Sequence, residues 1–309
     1  MKVLVTGASG FVGGFLLPRL VEAGHEVIAT HLPDQPASRG AIRWLPLDLR
    51  QDASVRAAAA ERPDAVIHLA AIASGADARR DPGLAWEVNA AGTARLAEAL
   101  GALRAAGGDP LLLLVSTAEV YGGLAEARPR HEADPVAPAS PYAASKAGAE
   151  LAVQETARRT GLRVSIARAF PHTGPGQSDR YAIPAFARRL RDAARTGAGS
   201  VKTGNLEPVR DILDVRDVVE AYLALLAPGT APGIYNIASG AGYSLLDIFS
   251  RLARIIGTPA RPERDPALLR TADVLHLVGD ATRLRTTTGW TPRFSLDQTL
   301  QDLVHAQTD

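Results

Sequence analysis

The feature that most constrains this chain stands at its amino terminus. Val3-Leu4-Val5 runs directly into Gly7-Ala8-Ser9-Gly10-Phe11-Val12-Gly13, after which Phe15, Leu16, Leu20 and Val21 recur at helical spacing as far as Gly24. A buried strand, a glycine turn and an amphipathic helix in that order open a strand–helix–strand unit. The N–H groups of a helix amino terminus, backed by the helix dipole, can bind a pyrophosphate. Glycines remove side chains where the chain turns (Gly7), where phosphate comes close (Gly10) and where helix meets strand (Gly13). Phe11 and Val12 lie in the same cradle, and the turn is expected to hold a dinucleotide.

Strands and helices alternate through the first two-thirds. Val27–Ala29, Ala65–Ala70, Leu111–Val115 and Arg163–Ala167 read as strands, and the nearly unbroken apolar runs among them suit strands covered on both faces. Leu84–Ala106 and Tyr142–Arg159 read as helices, the second ending at Gly161. This pattern predicts an α/β, Rossmann-like, doubly wound parallel sheet with its ligand at the carboxyl ends of the strands. After Phe170 the elements shorten and proline, glycine and arginine increase. Asp211–Val215 and the helix after it look like a return to the sheet. The expected division is a dinucleotide-binding domain from 1–170 and 209–235, with a smaller substrate-binding cap from 171–208 and 236–309.

Composition limits the function classes. A net charge of +1 without a basic run gives no footprint for nucleic acid. Cysteine is absent, which excludes disulfides and thiolate chemistry, and His131 and His172 lack metal-ligand spacing, so no metal is expected. Leu111–Val115, the longest dense apolar stretch, is far below membrane-spanning length, and no signal-peptide core precedes the first strand. A soluble cytoplasmic protein is expected.

Two further segments carry chemistry. Tyr142 and Lys146 are four residues apart, so on a helix they share a face. An ammonium and an oxidised nicotinamide near the phenol would favour phenolate and bring it toward working range. Ser116-Thr117 ends a buried strand at the ligand edge, where the Thr117 hydroxyl can hold a substrate oxygen. Together they suit hydride exchange at a carbonyl or secondary alcohol. At the end of the second strand, where NAD-specific sites place an acid, this chain has Thr30-His31, and Arg39 and Arg43 follow. NADP(H) is therefore favoured over NAD(H). Asp48-Leu49, after the third strand, suits a contact to adenine.

These segments resemble the extended short-chain dehydrogenases/reductases that act on nucleotide sugars. The resemblance includes Thr117 four positions before Tyr121-Gly122, Glu119 two before the same tyrosine, and His68-Leu69-Ala70-Ala71. It extends to Asn89 in Asn-Ala-Ala-Gly-Thr, to Arg210-Asp211-Ile212-Leu213-Asp214, and to Thr288-Gly289-Trp290-Thr291-Pro292. Within the family, Arg168–Gln177, Val201–Asn205 and Tyr235–Gly240 are most similar to the GDP-4-keto-6-deoxy-D-mannose reductases. The resemblance implies an NAD(P)H-dependent reduction of a GDP-linked 4-keto-6-deoxy sugar. Tyr142, Thr117, Lys146 and Glu119 would be catalytic, with Leu69, Ala70, Ala71 and Asn89 on the cofactor. Thr117, Glu119, Lys202, Arg210, Arg270 and Asp273 would be on the substrate, and a homodimer would form through paired helices. A 4,6-dehydratase using Glu119 or a 4-epimerase would share these residues. A non-enzymatic NADP-sensing protein fits less well, because tyrosine and lysine are both kept. One departure stands out: those reductases carry asparagine where this chain has Pro171.

Overall fold

A computed structural model describes residues 1–35, 41–123, 127–268 and 274–306. Seven strands form one parallel sheet. In chain order they are β1 (Lys2–Thr6), β2 (Glu26–His31), β3 (Arg43–Pro46), β4 (Ala65–His68), β5 (Leu111–Thr117), β6 (Arg163–Ala169) and an edge strand, Ile234–Ile237. From the other edge the order is β3-β2-β1-β4-β5-β6 and then Ile234–Ile237, so the chain reverses direction across the sheet between β1 and β4. The loops leaving those two strands diverge, which opens a crevice at their carboxyl ends.

Residue alternation explains why both sheet faces are dry. Val3 and Val5 enter one core with Leu16 and Leu20 of the Phe11–Glu22 helix and Tyr222 and Leu225 of the Val215–Leu226 helix. Leu4, between them, enters the opposite core with Leu96, Leu100, Ala149 and Val153. Leu112 and Leu114 repeat the switch against Leu111 and Leu113. Each fully buried side chain of this kind contributes about 1.5–3 kcal/mol. A third core gathers residues far apart in the sequence: Phe186 and Leu190, Val201, Ile248 and Leu252, and Leu300 and Leu303.

Two elements differ from expectation. The single helix expected over Leu84–Ala106 is interrupted: Pro82–Trp86 is α-helical, Glu87–Gly92 is a π-helix, and Thr93–Ala105 resumes the α-helix. Asn89 lies in the wide turn. Its carbonyl accepts the Thr93 hydroxyl at 2.6 Å, and its side chain accepts from Ile72 N at 2.7 Å and donates to Ser145 Oγ at 2.9 Å. These long-range bonds compensate for the disturbed helical ladder, as at other π turns.

Asp211–Val215 does not rejoin the large sheet. Val209–Asp211 pairs with Gly242–Ser244 and His276–Leu277, while Leu213–Asp214 pairs with His172–Thr173. The buried Asp211 carboxylate explains the diversion, because it accepts from Ser239 N at 3.0 Å, Gly240 N at 2.8 Å and Gly279 N at 3.2 Å. Ile234–Ile237, beside β6, is the seventh strand instead. Among the described residues no helix is long and apolar enough to cross a membrane.

Candidate active site

The glycine turn is built so that only glycine fits. Gly7 has φ +66°, and a Cβ there would lie 2.7 Å from Ala70 N on the turn after β4. A Cβ at Gly13 would lie 2.1 Å from Ala8 O. Gly10 ends the turn without a side chain to cap the first-turn N–H groups, which leaves those donors for a ligand. A cradle closed to Cβ atoms and lined with backbone donors fits a dinucleotide pyrophosphate.

The turn forms one end of a cavity of about 1050 Å³ that runs along the carboxyl edge of the sheet. Its walls include Gly7, Gly10, Phe11, Val12 and Gly13, then Asp48 and Leu49 at the end of β3, and Leu69, Ala70 and Ala71 after β4. Thr117, Glu119, Tyr142 and Lys146 line the same space, as does Arg210. A volume of this size exceeds the usual span for one small ligand and suits two ligands end to end.

Tyr142 and Lys146, the candidate catalytic pair, stand on the helix Pro141–Thr160. Ser140 caps it by accepting from Ala143 N at 3.1 Å, Pro141 occupies the first turn, and Gly161 ends it with φ 73°. These signals place Tyr142 at the opening, where its phenol lies near enough to Thr117 to feel its hydroxyl. Thr117 Oγ1 also accepts from Glu119 N at 3.2 Å, which orients the hydroxyl. Burial first, and the Glu119 carboxylate second, push the Tyr142 phenol above its ordinary range, against the opposing effect of Thr117. In the protein itself the phenol is thus biased toward its protonated form. Lys146, one turn along and 3% exposed, is drawn down to about 8 by burial, with Glu150 acting against the shift.

Beneath the cavity, His68 and Asn89 belong to one hydrogen-bonded series. Thr93 donates to the Asn89 carbonyl, so its oxygen accepts from His68 Nε2–H at 2.9 Å. His68 Nδ1 in turn accepts from the Thr6 hydroxyl at 2.6 Å, and Thr6 Oγ1 accepts from Ala70 N at 3.2 Å. Burial and then Lys146 push His68 down to about 3, so the ring is neutral and a fixed tautomer. Asn89 reaches the catalytic helix through Ser145, whose hydroxyl donates to Tyr142 O at 2.8 Å.

Some expected contacts lie elsewhere. Lys202 projects from the small Ser200–Thr203 strand into solvent, 3.5 Å from Asp265, and is absent from the cavity wall. Arg43 forms a two-pronged pair with Glu61 at 2.7 and 2.8 Å and does not line the cavity either. Arg39, Arg270 and Asp273 lie outside the described residues.

Other residues come into view only with the fold. Arg189 shares a helical stripe with Ala182 and Ala185, all three lining the cavity, and donates to Lys202 O at 2.9 Å. That stripe was visible as three- and four-residue spacing, although the target of the arginine was not. Arg50 lines the cavity beside Asp48 and grips it through bonds of 2.9 and 2.8 Å. His172 lines the wall with Nδ1–H donating to Phe170 O at 3.0 Å, and burial lowers its imidazole, which stays neutral. The buried Tyr222 hydroxyl, at the cavity floor, has no hydrogen-bond partner among the described residues.

Known proteins share this plan. Over 305 residues the chain is 36% identical to GDP-6-deoxy-D-mannose reductase of Pseudomonas aeruginosa, covering 98% of this chain and 96% of that one. The structure of RMD from Pseudomonas aeruginosa complexed with NADPH superposes with a TM-score of 0.82 at 33% identity, covering 99% and 98% of the two proteins. UDP-glucose 4-epimerase of Thermus thermophilus, complexed with NAD, superposes with a TM-score of 0.86 at 31% identity, covering 99% and 98%. The model of the NAD dependent epimerase/dehydratase family matches residues 3–238, a span holding the glycine turn, Thr117, Tyr142 and Lys146. With the fold, the cavity and the family match in agreement, the chain belongs to the NAD dependent epimerase/dehydratase family.

Proposed function

We propose that the protein is an NADPH-dependent reductase acting on the C4 ketone of a GDP-linked 4-keto-6-deoxy hexose. The observation that carries this reading is that Thr117, Tyr142 and Lys146 line the same cavity as a glycine turn fit for a dinucleotide. The 36% identical reductase supports the choice of reaction. Gly7, Gly10, Phe11, Val12 and Gly13 hold the pyrophosphate, Asp48 and Leu49 border the adenine, and Lys146 binds the nicotinamide ribose. Leu69, Ala70 and Ala71 flank the nicotinamide half, with Asn89 bracing them from below. When bound, a reduced nicotinamide supplies hydride to the carbonyl carbon.

Thr117 donates a hydrogen bond to the carbonyl oxygen and orients it. Tyr142 transfers its phenolic proton to that oxygen as negative charge builds there, and the Lys146 ammonium stabilises the phenolate left behind. Glu119 keeps the phenol protonated before the transfer and borders the sugar. Arg210 and Arg189 grip the diphosphate; from the family resemblance alone, Arg270 is assigned to the diphosphate and Asp273 to the ribose hydroxyls. No metal takes part.

Preference for NADP(H) over NAD(H) is proposed on Arg50, a cation at the adenosine end, and on the absence of an acid at Thr30-His31. A cap drawn from 171–208 and 236–309 closes the sugar end. Trp86 and Leu151, 46% and 69% exposed on neighbouring helices, are the proposed centre of a homodimer. The cytoplasm is the proposed compartment.

The test is to supply GDP-4-keto-6-deoxymannose with NADPH and follow reduced-nicotinamide absorbance. Consumption of NADPH with formation of a GDP-6-deoxyhexose is expected. Dehydration of GDP-mannose without net loss of NADPH would replace the reductase with a 4,6-dehydratase, and interconversion of UDP-glucose and UDP-galactose would replace it with a 4-epimerase.

A further inference from the structure

Directly behind the proton-transfer group lies a buried ion pair with no part in the scheme above. Glu150 is one helical turn past Lys146, and the two are 2% and 3% exposed. Its carboxylate accepts from Ser116 Oγ at 2.5 Å and from Arg168 Nε and Nη2 at 3.1 and 2.7 Å. Ser116 immediately precedes Thr117, and Ser116 and Arg168 are register partners on β5 and β6. One carboxylate therefore ties the catalytic helix to both strands at the level of the catalytic hydroxyl. Arg168 also donates to Glu132 O at 3.2 Å and lies 4.8 Å from the centre of the Tyr121 ring. Apolar residues of equal volume often stabilise a core as well as a buried ion pair does, so stability alone explains this arrangement poorly.

We propose that Glu150 is a positioning residue for Lys146: it fixes the seat of the catalytic helix against the Thr117 strand and holds the lysine as its ammonium. Tyr142 and Glu150 stand one turn before and one turn after Lys146 on its own helix, and His68 of β4 lies close enough to feel its charge, with Glu119 acting on Tyr142 and Arg168 paired with Glu150. His68 is neutral, and Glu150 is the group that works against the burial of Lys146. The inference rests on the proton-transfer reading of Tyr142 and Lys146, and is independent of which sugar is reduced.

Lysine occurs only at positions 2, 146 and 202, so protein labelled with carbon-13 at the lysine ε carbon gives three resolvable NMR titrations. In the wild type, Lys146 is expected to titrate near 8, and in Glu150→Gln about one pH unit lower or more. Glu150→Asp, which keeps the charge, should recover most of the shift. Because Glu150→Gln strands a buried guanidinium, Glu150→Gln/Arg168→Met repeats the test without it, with folding checked by thermal melting and NADPH fluorescence. A Lys146 midpoint within about 0.2 unit of wild type in either folded variant would overturn the proposal. So would a wild-type midpoint below about 7, which needs no variant. Loss of ammonium in these variants, in a protein that leaves the GDP-keto sugar untouched, would sink the sugar assignment and keep this inference.

Discussion

The two ends of the cavity are built on different principles. At the cofactor end, selectivity lies in backbone: a turn of seven consecutive residues, closed to side chains, presents N–H groups in one place. At the proposed sugar end it lies in side chains delivered by separated segments, with Arg189 from the Ala182–Thr196 helix, Arg210 from a small sheet and His172 from the two-residue strand after β6. A backbone site tolerates almost no substitution but can be read from a short motif. A side-chain site tolerates exchange and depends on the whole fold.

The severest way to break this contrast is Gly13→Val. Its Cβ would meet Ala8 O at 2.1 Å, a backbone atom that cannot swing aside, so NADPH binding measured by fluorescence should be lost altogether. Binding within about tenfold of wild type would mean that the cradle yields more readily than its geometry allows. Next comes Tyr142→Phe, which keeps the ring and removes the proton. Turnover should fall by about 10²–10⁴-fold with NADPH affinity nearly unchanged, as single-turnover kinetics would report. A milder loss would point to another proton donor, and the Tyr222 hydroxyl would be the first to examine.

How much was legible follows the same division. The glycine turn, the apolar strands and Tyr142 with Lys146 could be found because each is local, its residues set by periodicity or by one turn of helix. The π turn at Glu87–Gly92 was invisible, because it depends on Asn89 reaching Ile72 and Ser145. Lys202 was misleading: its charge suits a diphosphate, but its strand turns it toward Asp265, while Arg189 on the adjoining helix takes the cavity wall. The diversion of Val209–Asp211 from the large sheet likewise depends on the buried Asp211 carboxylate meeting donors from Ser239, Gly240 and Gly279.

A pH profile sharpens the comparison at the midpoint of the cavity. Burial draws Lys146 down to about 8, well below an ordinary lysine, so the ammonium proposed to stabilise the phenolate is present at neutral pH and lost above that midpoint. Turnover should therefore decline on the alkaline side with an apparent pKa of about 8. A flat profile to about pH 10 would remove the lysine from the proton-transfer group. The smallest effect separates two cations at the sugar end. Arg210→Ala should raise the KM for the sugar nucleotide about 10–100-fold, equivalent to about 1–3 kcal/mol, whereas Lys202→Ala should change it less than about twofold. Equal effects would mean that the cap closes much further than its present geometry.

The series of hydroxyls through His68 has one more implication. Its first donor is the backbone N–H of Ala70 and its last acceptor the backbone carbonyl of Asn89, so neither terminus can take up or discharge hydrogen ions. The array is insulated rather than conductive. It gives the floor beneath the cavity one constant polarity, indifferent to acidity outside, although Lys146 of the proton-transfer group lies close enough to His68 to act on it.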